Sequence, residues 1–85
     1  MQDITHVLND PPGMHARPAA MLVKAVAPFA STITVTAPTG TADAKRLMAL
    51  MRLAAKQGME LTITIEGADE EKAAAELQAF LTANL

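Results

Sequence analysis

The chain has 85 residues, no cysteine and a formal net charge of −2. That length supports one domain with one modest core. The missing cysteines exclude disulfides and thiolate metal sites, and the slight negative charge argues against general affinity for nucleic acid. No apolar run approaches the ~20 residues of a membrane span, and no basic start followed by an apolar stretch marks a signal peptide. A protein of the cytoplasm is therefore expected, with no membrane insertion.

The first segment, Asp3 to Asn9, reads as a strand, with Ile4, His6 and Leu8 on one face. Asp10-Pro11-Pro12-Gly13 breaks it. Ala16 to Ala27 has helical periodicity, with Ala19, Leu22, Val23 and Val26 as its buried stripe, and Pro28 ends it. Ser31 to Ala37 alternates Ile33 and Val35 with threonines and reads as a second strand. Pro38-Thr39-Gly40 is turn chemistry, and Thr41 to Asp43 supplies a second hairpin arm. Lys45 to Ala54 is helical in composition, and Gly58 suits a left-handed position past a helix end. Glu60 to Glu66 is the last strand. A final helix starts at Asp69 as N-cap, with Ala73, Leu77, Phe80 and Leu81 as its buried stripe.

The order β-α-β-β-α-β-α implies an α+β, two-layer sandwich. It combines one four-stranded, mainly antiparallel sheet with three helices. Threonine-rich alternation suits a sheet wet on one side. Periodicity alone leaves a ferredoxin-like sandwich of similar element order open.

Charge is unevenly distributed. Six of the seven cations lie between Arg17 and Lys56, whereas six of the nine acids lie from Glu60 onward. One basic and one acidic face follow, or simply two solvated helix surfaces. The middle helix is also too apolar: between Leu47 and Ala55 only Arg52 is polar. A helix of so small a domain is not buried all round, so Leu47, Met48 and Met51 are candidates for a docking surface, extended by Met21 and Lys24. The competing reading is that the methionines fill the core.

His15 and Arg17 carry the chemistry. Neutral imidazole is a good nucleophile near pH 7 and can accept a phosphoryl group in a form that remains transferable. At a helix start the amides of Ala16 and Arg17 are available to an anion, and the Arg17 guanidinium offers a two-pronged contact to phosphate oxygens. Pro18 offers no N–H and disfavours helical dihedrals at Arg17, which predicts an irregular helix start. The plain alternative is an exposed loop histidine beside a solvated arginine. His6 reads as a half-buried structural histidine. Two histidines without a supporting carboxylate spacing make a poor metal site, so none is expected.

The segment Gly13-Met14-His15-Ala16-Arg17-Pro18-Ala19-Ala20 resembles the phosphorylation site of the HPr family, histidine-containing phosphocarriers of the bacterial phosphoenolpyruvate-dependent sugar phosphotransferase system. Ile33-Thr34-Val35, Ala44-Lys45, Leu47, Gly58, Thr62-Ile63 and Glu66-Gly67-Ala68-Asp69-Glu70 extend the resemblance over nearly the whole chain. It implies an open-faced β-sandwich with the helices on one side of the sheet. It implies phosphorylation of His15 at Nδ1 by phosphorylated enzyme I, transfer onward to a histidine of an enzyme IIA domain, and steadying of the phosphate by Arg17. The docking surface for both partners would comprise Ala20, Met21, Lys24, Lys45, Arg46, Leu47, Met48 and Met51. A monomeric, free-standing carrier without a cofactor, acted on by its partner phosphotransferases rather than itself an enzyme, is the expectation.

Three positions depart from the family pattern. Arg46 stands where many relatives carry a regulatory serine, so phosphorylation of a hydroxyl there is impossible. Ala54 replaces a usual glycine, and Pro12 replaces an asparagine or similar residue. Two other function classes remain. One is a regulatory module of the same fold, in which phosphorylated His15 signals to an enzyme or transcription factor. The other is an RNA-binding sandwich, disfavoured because such sheets stack bases on aromatic side chains and neither phenylalanine lies in a predicted strand.

Overall fold

The computed structural model describes residues 1–9, 16–53 and 55–85. Four strands, β1 (Gln2–Val7), β2 (Thr32–Ala37), β3 (Gly40–Asp43) and β4 (Glu60–Glu66), form one sheet in the order β1-β4-β2-β3. All three strand pairings are antiparallel. Three helices complete the fold: α1 (Ala16–Val26), α2 (Leu47–Arg52) and α3 (Glu70–Asn84).

Strict alternation makes the sheet two-faced. The register aligns Ile4, Ile63, Val35 and Ala42 in one row across all four strands, and every one of them is buried. The adjacent row is Thr5, Thr62, Thr36 and Thr41, on the opposite face. A one-residue slip would exchange the two rows, so the register is strongly specified. The apolar face packs in a single cluster with Ala19, Leu22 and Val26 of α1, Leu50 of α2, and Ala73, Leu77 and Leu81 of α3. All three helices therefore cover the same face, as expected of an open-faced sandwich. Within that layer α1 touches both α2 and α3.

Several element boundaries differ from expectation, and the larger differences have a local cause. β1 closes at Val7 rather than Asn9, because the Asn9 N–H turns to the carbonyl of Leu85 (2.6 Å). The α1 helix ends at Val26 and β2 begins at Thr32, because Ala30 and Ser31 give their N–H groups to Asp69. The largest change is in the middle helix, which has six residues and starts at Leu47 rather than Lys45. Asp43 explains this: its carboxylate accepts the Lys45 N–H (2.9 Å) and its carbonyl the Arg46 N–H (3.0 Å). That turn holds the backbone out of the helix until Leu50 N–H reaches the Arg46 carbonyl. At the other end Leu53 closes on Leu50 by an i−3 bond, and the Thr39 hydroxyl donates to the Leu53 carbonyl. Ala54 lies outside the described residues.

Gly58 is in the left-handed region (φ 90°), as expected, but it belongs to a separate turn closed by Met59 N–H to the Lys56 carbonyl rather than to a helix end. Asp69 stands at the N-cap position of α3 without capping it by its side chain. Its carboxylate instead crosses to the loop after α1, accepting the N–H groups of Ala30 (2.9 Å) and Ser31 (3.0 Å) and the Ser31 hydroxyl.

Candidate functional site

The site starts from α1. Its buried residues are Pro18, Ala19, Leu22 and Val26. The opposite ridge carries Arg17, Ala20, Met21 and Lys24 at the i, i+3, i+4, i+7 spacing of one helix face, and all four are exposed. Helix geometry leaves the amides of Ala16 and Arg17 without an acceptor inside the helix, while Pro18 has no N–H to leave orphaned. Ala16 and Arg17 are already helical, so the irregular start expected from the Arg17-Pro18 pair is not seen; the buried Pro18 ring is accommodated in the first turn. No acid stands in that turn, so the positive end of the helix dipole is left uncompensated by it. His15 lies outside the described residues, as does Pro12; Arg17 marks the end of the ridge next to His15 in sequence.

The α2 helix supplies the apolar part. Leu50 is fully buried, whereas Met48 is 60% and Leu47 37% exposed. Met51 is half-buried against the core, and Arg46 and Arg52 are exposed. The expectation of an incompletely buried middle helix therefore holds, although for a shorter helix: Leu53 and Ala55 are buried beyond its end. Because α2 packs on α1, the Arg17-to-Lys24 ridge and the Leu47–Met48–Met51 patch lie on touching elements.

Lys45 is placed differently from the other expected docking cations. Its Nζ donates to the carbonyl of Phe29 at 2.6 Å, beyond the end of α1. The loop from Ala27 to Ser31 is thus held from two sides, its carbonyl by a lysine and its N–H groups by an aspartate. Hydrogen bonds from the Ser31 hydroxyl, the larger cause, and from the Ala30 N–H hold the Asp69 carboxyl below the usual carboxylate range. Gly67 permits this closeness: a Cβ there would stand 2.7 Å from the Ser31 Cα, and its φ is 156°.

His6 is half-buried on the core side of β1, as its place in the alternation predicts, and its Nε2 is enclosed without a hydrogen-bond partner among the described residues. Within those residues no three His, Asp or Glu side chains converge as metal ligands, and no helix is long and apolar enough to cross a membrane. Two residues of this surface differ from expectation. Arg52, the one polar residue of its segment, is an exposed cation of α2 that the expected docking set leaves out. Phe80, expected in the buried stripe of α3, is only half-buried and faces a groove beside Met21 and Lys24. Its position at the edge of the α3 stripe, three residues from Leu77, is the signal that was available.

Residues 3–83 match the family model described as PTS HPr component phosphorylation site. The chain belongs to the HPr family. Its role as a phosphocarrier of the sugar phosphotransferase system follows from that membership. Among curated relatives, the phosphocarrier protein HPr of Lysinibacillus sphaericus is 45% identical over 73 residues, covering 86% of this chain and 83% of the relative. The crystal structure of HPr-C-His from Thermoanaerobacter tengcongensis superposes with a TM-score of 0.90 at 34% identity, covering 98% of this chain and 93% of that one. The Bacillus subtilis protein Crh, described as a catabolite repression containing protein that forms a domain-swapped dimer, superposes with a TM-score of 0.76 at 30% identity over 100% of this chain and 98% of its own. These HPr likenesses decide between the two sandwich topologies that periodicity left open.

Proposed function

We propose that His15 is the phosphoryl acceptor, taking the group from phosphorylated enzyme I and passing it to an enzyme IIA domain in the cytoplasm. The observation that carries this reading is the exposed ridge Arg17–Ala20–Met21–Lys24, which begins next to His15 in sequence and lies on a helix that packs against α2, the carrier of the exposed apolar patch. The Nδ1 lone pair of neutral His15 attacks the phosphorus of the donor's phosphohistidine. The N–P bond to the donor breaks, its electron pair returns to the donor nitrogen, and the new N–P bond forms on His15. The second transfer repeats this exchange with His15 as the leaving imidazole. Little covalent chemistry is asked of the protein, so positioning and charge dominate. Arg17 and the N–H groups of Ala16 and Arg17 hold the three phosphoryl oxygens, and the guanidinium fork matches their geometry. The partner proteins supply the catalysis, and this chain acts as a monomeric, single-domain carrier rather than as an enzyme.

Arg46, Leu47, Met48 and Met51, with Ala20, Met21 and Lys24, form the docking face in this reading. Lys45 contributes mainly by holding the loop after α1 through Phe29. Incubation with enzyme I and phosphoenolpyruvate is the direct test: an acid-labile, base-stable phosphate is expected on the wild-type chain and none on His15→Ala. Normal labelling of His15→Ala overturns the assignment.

The second reading is a regulatory module, favoured by the likeness to Crh over the whole chain. It differs in what phosphorylated His15 does next. Rapid discharge to an enzyme IIA domain supports the carrier; stable phosphorylation without discharge supports the signal. Either way Arg46 has no hydroxyl, so control by phosphorylation at that position is absent.

A further inference from the structure

Between α1 and α3 lies an open groove of about 290 Å³, lined by Met21, Lys24, Ala25 and Phe80. We propose that this groove receives one large apolar side chain from the acidic protein surface that docks on α1, with a carboxylate of that partner set against Lys24. The proposal rests on the phosphocarrier reading above and adds α3, through Phe80, to the surface that the phosphoryl-transfer partner recognises.

Three observations support this occupant. The first is charge. Lys24 is the one ionisable residue of the lining. The acids of α3 all lie in its first half, at Glu70, Glu71 and Glu76, and no ionisable side chain follows from Leu77 to Leu85. Glu76 stands one turn before Phe80, so an acidic surface reaches the groove without meeting a like side-chain charge of α3 only from the Phe80-to-Leu85 side. There Lys24 is the charge it meets, and such complementarity selects partners and speeds encounter. The second is continuity. Met21 and Lys24 belong both to the exposed ridge of α1 and to the groove, so any partner lying on the ridge borders Phe80. The third is the lining itself. Phe80 is half-buried against the core and offers part of its ring from a supported position, while Met21 adapts to the shape of what enters. Supported aromatic side chains at a desolvated spot are where interface energy concentrates.

The test uses the full chain with purified enzyme I and, separately, an enzyme IIA domain. Phe80→Ala empties one wall and Ala25→Glu puts a carboxylate into the groove; both leave the identity of His15 and Arg17 unchanged. With one or both partners, both variants are expected to raise KM about five- to tenfold, a loss of roughly 1–1.4 kcal/mol, with kcat within about twofold of wild type. Phe80→Leu, which keeps most of the packing, separates loss of contact from loss of fold, and thermal melts verify that each variant is folded. In the wild-type chain, the Phe80 ring and Met21 methyl resonances are expected to shift when unphosphorylated partner is added. Unchanged KM in both variants with both partners, while wild type is phosphorylated normally, overturns the groove and leaves the carrier reading standing. A shift of those resonances with concentration of the chain alone also overturns the proposed occupant, because a second copy would then fill the groove. Failure of the wild-type chain to be phosphorylated overturns the carrier reading, and the groove's role with it.

Discussion

At the scale of single residues, the hydrogen bonds from the loop after α1 to the Asp69 carboxylate tie stability to pH. The Asp69 carboxyl is held below its ordinary range by the Ser31 hydroxyl first and the Ala30 N–H second. A group with a lowered folded pKa contributes stability above its unfolded pKa, ~3.9 for aspartate, and that contribution is lost as pH falls through the lower folded value. Urea midpoints measured from pH 7 down to pH 2 are therefore expected to fall in acid for the wild-type chain. Asp69→Asn lowers the midpoint at pH 7 and flattens the acid limb. An unchanged acid limb in that variant would show that other carboxyls carry it. The contact is partly exposed, so its effect is modest beside core packing. Gly67 belongs to the same arrangement, because any side chain at that position meets Ser31.

At the scale of the element, α2 divides its apolar residues between two tasks. Leu50 is fully buried, and its truncation to alanine leaves a cavity against the sheet, expected to cost about 2–5 kcal/mol in unfolding free energy. Met48 is 60% exposed. Met48→Ala is expected to stay within about 0.5 kcal/mol of wild type in stability and yet to weaken transfer by raising the partner's KM. Melts and transfer kinetics on the two variants check this division. A destabilising Met48→Ala with normal KM would assign Met48 to the core. The short length of α2 matters here, because Asp43 and Thr39 pin its two ends and so set which residues of an almost wholly apolar segment face outward.

At the scale of the molecule, cations gather on α1 and in and around α2, and acids on β4 and α3. Such polarity steers an acidic partner to the α1–α2 side and does so less well as salt screens it, with a Debye length near 8 Å at physiological ionic strength. Charge reversal by Lys24→Glu or Arg46→Glu is therefore expected to slow phosphoryl transfer several-fold at low salt, with the gap to wild type narrowing as salt is added. Rates of the variants that stay in constant ratio to wild type at every salt concentration would remove steering from the explanation.

Much of this molecule is legible from the amino-acid order. Strict alternation in Ile33-Thr34-Val35 and Leu61-Thr62-Ile63-Thr64-Ile65 determined two strands and which side chains enter the core, because the strand period of two admits one buried face. The 3.6-residue period did the same for α1 and left Met21 and Lys24 off its buried stripe. The His15 motif was legible too, since the chemistry of imidazole and guanidinium belongs to those side chains wherever the chain places them. What tertiary structure alone decided were contacts made across long sequence separations. Asp69 was legible as a helix start, but the donors it serves are 38 and 39 residues away. Lys45 was legible as a surface cation, but its Nζ is held by a carbonyl 16 residues before it. The length of α2, the half-burial of Phe80 and the groove it shares with Met21 depend on which elements become neighbours. Local periodicity states which face of an element is apolar; only the packed fold states how much of that face its neighbours cover.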